Sequence, residues 1–436
     1  MSTWIVARRW RCSAPCAALV AVIAAGCGDS GAPSDAGLDA RADARVDVRS
    51  DVRSDVADAR VDVRSDVADA RVDVRDATSD IIADVAQGDI APTTDVDDES
   101  ALSDIAIDLV HPDDVPPFEE GVVTFAGAGD PGFADGLRTD ARFNNPVNVV
   151  VSPDGNVYVA DFNNNAVRRI EPDGWVTTLI RQANFEAPFG LAFTPDGTLY
   201  IETDANDRGG RTNTTGTIWR VAPGEHTATV VARDIGRPRG LVVLPDGRLA
   251  MTDYVLHVVE TLDLTDGTVT VLAGARSRSG FVDGPGTAAR FMRPYGVVLR
   301  ADGNLLIADQ GNQRIRLVTP EGEVSTLAGS GTAGSLDGPG AMAQFSGPQG
   351  ITIDSRGLVY VSEADGHHVR TIDAEGVVAT LAGNGNAGCV DGPLEEAEFY
   401  GLEGIAISPD DGILYLPDGN RGTGEPFHRM RRIQLP

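Results

Sequence analysis

The sequence predicts an all-β fold, a closed ring of six similar sheets, on three observations. First, runs of four to seven Val-, Ile- and Leu-rich residues end in Gly, Asp or Asn clusters, the mark of short antiparallel strands. Second, the four-run wording of Tyr295 to Gly329 (YGVVLRADG, NLLIADQGNQ, RIRLVTPEG, EVSTLAG) returns at Gly350 to Gly383 and, earlier, at Val147 to Leu179. Third, a start signal built on Pro and Gly recurs at spacings of 42, 50, 56, 54 and 54 residues. With so long a period, each sheet can bury its faces only against its neighbours.

The chain opens with Arg8, Arg9 and Arg11 ahead of CAALVAVIAAG, eleven small and apolar residues. This is the make-up of an export signal, and it is too short to span a bilayer. The stretch ends Ala24, Ala25, Gly26, Cys27, which resembles a bacterial lipoprotein signal. That resemblance implies removal of residues 1–26 and a lipid on the Cys27 thiol. With Cys12 and Cys16 gone and Cys27 acylated, Cys389 is left as a single thiol, and no disulfide is expected within one molecule.

Residues 27–118 are expected to form a disordered tether. No aromatic residue occurs from Gly28 to Pro117, and an eleven-residue unit recurs at Ala59 to Asp69 (ARVDVRSDVAD) and Ala70 to Asp80 (ARVDVRDATSD). Eleven-residue periods can wind right-handed coiled coils, but Val and Asp dominate here and no apolar face forms, so little can be buried. Gly28 to Glu120 carries 26 acids against eight arginines, the larger part of a net charge of −29. Such a balance argues against nucleic acid or anionic lipid as partner. As a coil of about 5–6 Å times the square root of residue number, the tether would hold the folded part roughly 50 Å from its anchor. Every basic residue is arginine, which excludes lysine Schiff-base and lysine general-base chemistry.

Residues 119–436 read as a six-bladed β-propeller. Inner strands start at NPVN, APFG, RPRG, RPYG, GPQG and GLEG, the last ending at Gly404. VVTFAG at 122–127 has the wording of a fourth strand (VSTLAG, VATLAG), while the chain stops after MRRIQL, a third strand. The first ribbon is therefore expected to complete the last blade, a three-plus-one closure that removes open sheet edges. Asp309, Asn312, Arg314 and Ile315, with Pro294, Gly296 and Gly303 around them, resemble the NHL repeat. The resemblance runs from Gly121 to Pro436, and blades two, three and six depart from its Asp-x-x-Asn wording. It implies a propeller of NHL-type repeats; one enzyme group similar to it, the peptidyl-hydroxyglycine amidating lyases, carries zinc.

Connectivity assigns the faces. Turns between first and second and between third and fourth strands are tight (SPDG, TPDG, LPDG, EPDG) and leave little room for chemistry. The opposite face carries the long blade-two loop TDANDRGGRTNTTG, the blade-six loop PDGNRGTGEPFH and long connectors into blades one, four, five and six. Variable loops on a rigid scaffold carry binding, so this face, a raised rim with a low sector at blades two and three, is the expected ligand face.

Several motifs have a plain structural reading beside the functional one. GxGxxG at 127–132, 329–334 and 383–388 needs a parallel strand and a helix to hold a dinucleotide. Here it follows an outer antiparallel strand three times, so its glycines should let the connector climb over the blade edge. Asp135, Asp283, Asp337 and Asp391, each before Gly, are expected to start the connector turn, and Phe143, Phe291, Phe345 and Phe399 to plug it onto the core. Asp161, Asp253, Asp309, Glu363 and Asp418 recur at the end of the second strand. As a ring at the channel mouth they would offer oxygen ligands to Ca2+. As structural groups they would bond their own loops, Asn164 and Asn312 likewise, and repetition favours that second reading. His257, His367 and His428 share one register on blades three, five and six, and are not expected to converge on one zinc. No nucleophile has a base at a recognisable spacing.

These features describe an exported, monomeric binding scaffold of the bacterial cell envelope, lipid-anchored in the outer membrane, which recognises a protein or glycan through its loop face. No cofactor and no catalytic residue are expected. Candidate ligand-binding residues are Asp161, Asn164, Asp207, Arg208, Arg211, Asp253, Asp309, Asn312, Glu363, Asp365 and Asp418. The alternative is a lactonase- or lyase-type propeller enzyme with a divalent ion at the channel mouth, held by some of Asp161, Asp309 and Glu363.

Overall fold

The computed structural model describes residues 120–419, 421–422 and 426–435, so the export signal, Cys27 and the tether lie outside the described residues. Six antiparallel sheets follow one another along the chain, five of them from contiguous sequence. In blade one the strands are Pro146–Val151, Val157–Asp161, Ala166–Ile170 and Trp175–Ile180, from the inside outward. Blades two to five repeat this order. In blade six the fourth strand is Val122–Ala126, which runs antiparallel to Arg429–Gln434 with Val122 opposite Ile433 and Ala126 opposite Met430. The expected closure by the first ribbon is thus present.

The strands form because β-branched and aliphatic residues alternate or run together within them, and their faces are buried between blades. One inter-blade layer packs Phe125, Ala126 and Met430 of blade six with Val149, Val159 and Ile170 of blade one, around Phe143. Phe143, Phe291, Phe345 and Phe399 are all fully buried, one per long connector, as plugs.

Those connectors do more than stand up as a rim. Each descends along the outer edge of the blade it leads into: Gly136–Leu137, Gly284–Pro285 and Gly338–Pro339 add a fifth strand to blades one, four and five, and Gly392 pairs with Val122 in blade six. At the start of each climb the chain passes a glycine with positive φ. At Gly127, φ is 99° and a Cβ would lie 2.7 Å from the carbonyl oxygen of His428, so only glycine fits.

Cys389, expected as a lone thiol, is disulfide-bonded. Its counterparts Phe133 and Phe281 are half-exposed and lie under arginines, Arg181 at 4.1 Å and Arg314 at 3.7 Å from the ring centroids. They are cation–π supports.

Candidate functional site at the mouth of the propeller

The second-strand carboxylates are engaged in a clip repeated in the four blades with long connectors. In blade one, Arg168 Nη1 donates to Asp161 Oδ2 at 3.0 Å and to the Arg142 carbonyl at 2.9 Å. Its Nη2 donates to the Ala134 carbonyl at 2.7 Å and to Asp135 Oδ1 at 2.5 Å. Arg316 joins Asp309 to Asp283, Arg370 joins Glu363 to Asp337, and Arg431 joins Asp418 to Asp391 in the same way. All four arginines are fully buried, each over its plug phenylalanine at 5.1 to 5.5 Å. Asn164 and Asn312 add bonds to Asp161 and Asp309 and to the connector carbonyls of Gly132 and Gly280.

Asp161, Asn164, Asp309, Asn312, Glu363 and Asp418 are therefore brought to the connector roots, one set per blade, rather than to a shared channel mouth. Asp135, Asp283, Asp337 and Asp391 do not cap the connector turn as expected: the 3-10 turns at Arg138–Asp140 and Gly286–Ala288 have no side-chain cap, and the carboxylates go to arginine instead. Charge neutralisation of a buried guanidinium outweighs one capping bond. Burial pushes Asp161 and Asp309 up to about 6, against the pull of arginine and asparagine. Asp253, without such an arginine, accepts the backbone N–H groups of Arg237, Val255 and Leu256. Among the described residues no group of three or more His, Cys, Asp or Glu side chains gathers at metal-binding range.

The histidine register is a set of inter-blade staples. His257 Nδ1 accepts the Arg293 N–H at 3.1 Å and His428 Nδ1 that of Asn145 at 2.8 Å. Asn165 and Gln313, in the same register, accept those of Ala187 and Gly347. Each ties one blade to the chain leading into the next.

What the fold does bring together is the middle residue of each inner-strand start signal: Val147, Phe189, Arg239, Tyr295, Gln349 and Glu403. Phe189 of blade two meets Tyr295 of blade four with ring centroids 5.6 Å apart, and Tyr295 Oη donates to Glu403 Oε2 of blade six at 2.8 Å. Side chains from alternate blades can meet only on the axis, so this ring closes the channel at the loop face. The following glycine lets the inner strands converge: a Cβ on Gly240 would lie 2.7 Å from the Tyr295 carbonyl oxygen. Beneath the ring a cavity of about 240 Å3 lies among the inner strands of all six blades, from Asn148 to Ala406.

Above the ring stands Asp204, just past the second strand of blade two. Arg239 donates to it at 2.8 and 3.3 Å, Arg237 at 3.1 and 2.5 Å, and Arg211 at 3.2 Å. Burial alone would raise its pKa, but Arg239 and Arg237 outweigh it and hold the carboxyl below its ordinary range. Behind it, Glu202 is fully buried with Oε1 unpartnered; burial, then Asp204, push it well up, toward the neutral acid. Burial likewise raises Glu403. Aromatic rings flank the cations: Phe162 lies 5.0 Å from the Arg211 guanidinium, Tyr254 5.6 Å from that of Arg293, and Tyr254 stands perpendicular to Tyr295 at 5.7 Å.

Of the predicted residues, only Arg211 reaches this cluster directly. Asp207 forms a two-point pair with Arg233 at 2.9 and 2.6 Å on the outer side of the blade-two loop, beside exposed Arg208. Asp365 pairs with Arg421 at 2.8 Å between blades five and six. Sequence reasoning missed Asp204, Arg237, Arg239, Tyr254, Tyr295 and Glu403. The available signal was a position framed by repeated Pro and Gly whose own residue differs in every blade.

The NHL repeat family matches residues 143–170, which hold the inner three strands of blade one. Over 365 residues the chain is 24% identical to NHL repeat-containing protein 2 of Bos taurus, covering 71% of this chain and 50% of that protein. The chain is a six-bladed β-propeller with an NHL repeat matched in its first blade. This propeller matches the structure of a structural genomics protein of unknown function from Bacteroides thetaiotaomicron with a TM-score of 0.58, at 22% identity over 72% of this chain and 75% of that one. It matches an auxiliary nutrient binding protein from Bacteroides ovatus with a TM-score of 0.57, at 22% identity over 72% and 76%. At such identities the likeness is one of fold. The chain spans half or less of the length of the first relatives it matches.

Proposed function

We propose that this propeller is a binding scaffold that takes a protein or glycan ligand at the loop-face mouth, exported and held in the outer membrane by a lipid on Cys27. The observation that carries the binding role is the recess above the sealed ring. Half-exposed arginines and aromatic faces from blades one to four converge there, on rigid strand ends, where chemistry is left available to a partner. The likeness in fold to an auxiliary nutrient binding protein supports the same reading.

A ligand bound only by the native chain raises its melting temperature by mass action. In a thermal-shift screen of the purified protein against sugars and peptides, at least one compound is expected to raise it. That rise is expected to vanish in the Asp207→Ala, Arg208→Ala, Arg211→Ala triple variant. A rise that survives the triple variant would move binding away from the blade-two loop.

A further inference from the structure

We propose that the mouth recognises the carboxylate of an acidic sugar, a uronate residue at or near the end of a glycan, and that Arg237, Arg211 and Arg293 provide the anion site. The inference rests on the binding role proposed above and narrows its ligand class.

The charge does not balance at the mouth. Asp204 offers about four lone-pair directions, and the forks of Arg239 and Arg237 already direct two N–H bonds each at them, with Arg211 adding a fifth contact. Three guanidiniums share this carboxylate, and of the three Arg239 alone has a second one, Glu202, within 4 Å, so Arg237 and Arg211 have no carboxylate of their own among the described residues. Arg239 is buried, but the side chains of Arg237 and Arg211 keep 24% and 48% of their exposure, so the surplus faces solvent. Arg293 adds another cation: it is exposed, lies against Tyr254, and forms no salt bridge among the described residues.

The other acids nearby form no ion pair with Arg237, Arg211 or Arg293 among the described residues. Glu403 accepts from Tyr295, Asp365 holds Arg421, Asp253 is bonded to three backbone N–H groups, and Glu260 holds Arg276. Glu202 is enclosed behind Arg239 and pairs with its buried Nη1 at 3.9 Å, with the other oxygen unpartnered, so it takes up charge on Arg239 and not on the exposed Arg237, Arg211 or Arg293. In the ring itself the Gln349 amide carbonyl is buried and also without a partner. A polar group left unsatisfied in a closed ring is costly unless a ligand group completes it.

Two features favour a sugar acid. Phe162 and Tyr254 are partly exposed and stand on either side of the cations, so a pyranose ring can lay its C–H face on one while its carboxylate meets a guanidinium fork. The chain as a whole carries a net charge of −29, which repels a long polyanion and leaves a single or terminal acid as the favoured partner of a local cationic recess.

Calorimetric titration of the full chain with trigalacturonate, its carboxyl-reduced trisaccharide and a tetra-aspartate peptide tests this. Trigalacturonate is expected to bind, with the reduced trisaccharide at least about tenfold weaker, the worth of one charge-assisted contact. Arg293→Ala, at an exposed side chain with no ion pair, is expected to weaken trigalacturonate by about tenfold at an unchanged melting temperature, and Arg237→Gln by as much or more. Equal binding of the reduced sugar, full affinity in Arg293→Ala, tighter binding of tetra-aspartate, or no binding of trigalacturonate would each overturn the inference. A neutral sugar or peptide that binds and is lost in the Asp207, Arg208, Arg211 triple variant would leave the broader binding role standing. Silence across the whole thermal-shift screen would sink both.

Discussion

At the Asp309 carboxyl two effects oppose each other. Burial penalises its charge, while Asn312, Arg316 and the Met292 N–H favour it, and burial wins, so the group is pushed up to about 6. In the unfolded chain it titrates near 3.9. The native state therefore holds its proton more tightly, and the resulting stabilisation is full below the unfolded value and lost as pH rises through 6. Urea unfolding of the wild type and of Asp309→Asn, at pH 7 and pH 5, isolates this contribution. The wild type is expected to gain about 1 kcal/mol relative to the variant on acidification; a pH-independent difference would mean that Arg316 holds Asp309 ionised throughout. At this scale the clip was half legible. Asp161 and Arg168, Asp309 and Arg316, and Glu363 and Arg370 stand seven residues apart, which places them on paired strands. The arginine's second partner, some 33 residues upstream, could not be read from any local spacing.

Among the elements, the third strand explains why the clip repeats where it does. All six blades share a β-bulge on the fourth strand at this level, with Leu179, Leu327 and Leu381 as the extra residues opposite Arg168, Arg316 and Arg370, so the residue type on the third strand decides where a clip forms. Blades two and three have Trp219 and Glu260 in that register. Trp219 turns its Nε1–H to Thr203, and Glu260 takes Arg276 from the start of the connector that leaves blade three for blade four. The long connectors and the arginines therefore occur together. The first ribbon has the complementary role of covering the edge of Arg429–Gln434. A chain beginning at Glu120, which keeps the ribbon, is the reference. One beginning at Ala128 should expose that edge, melt lower, and self-associate by edge pairing, as seen by light scattering after size exclusion. A monomeric Ala128 form with unchanged melting would show that the ribbon is dispensable.

For the whole molecule, the arrangement proposed is a rigid recognition head joined to a membrane through residues 27–118. Replacing Cys27 by Ala removes the thiol that would accept the lipid. The variant is expected to lose metabolic labelling by palmitate and to move from the membrane to the soluble envelope fraction of a bacterial host. Label retained in Cys27→Ala would refute lipidation at that residue.

Read alone, the chain already specified an all-β propeller, its six-fold count and its closure, because strand patterning, turn residues and long-period repetition are local and survive translation into text. Folding decided which of the repeated polar residues are structural and which are left to a ligand. Asp161, Asp309, Glu363 and Asp418 look like a ring of ligands in the sequence, but each is consumed by an arginine from its own blade and a connector draped across it. Arg237, Arg239, Tyr295 and Glu403 look like incidental residues inside a start signal, and converge because the axis brings alternate blades within contact. A site assembled by symmetry around an axis has no sequence spacing of its own, so only the closed ring could disclose it.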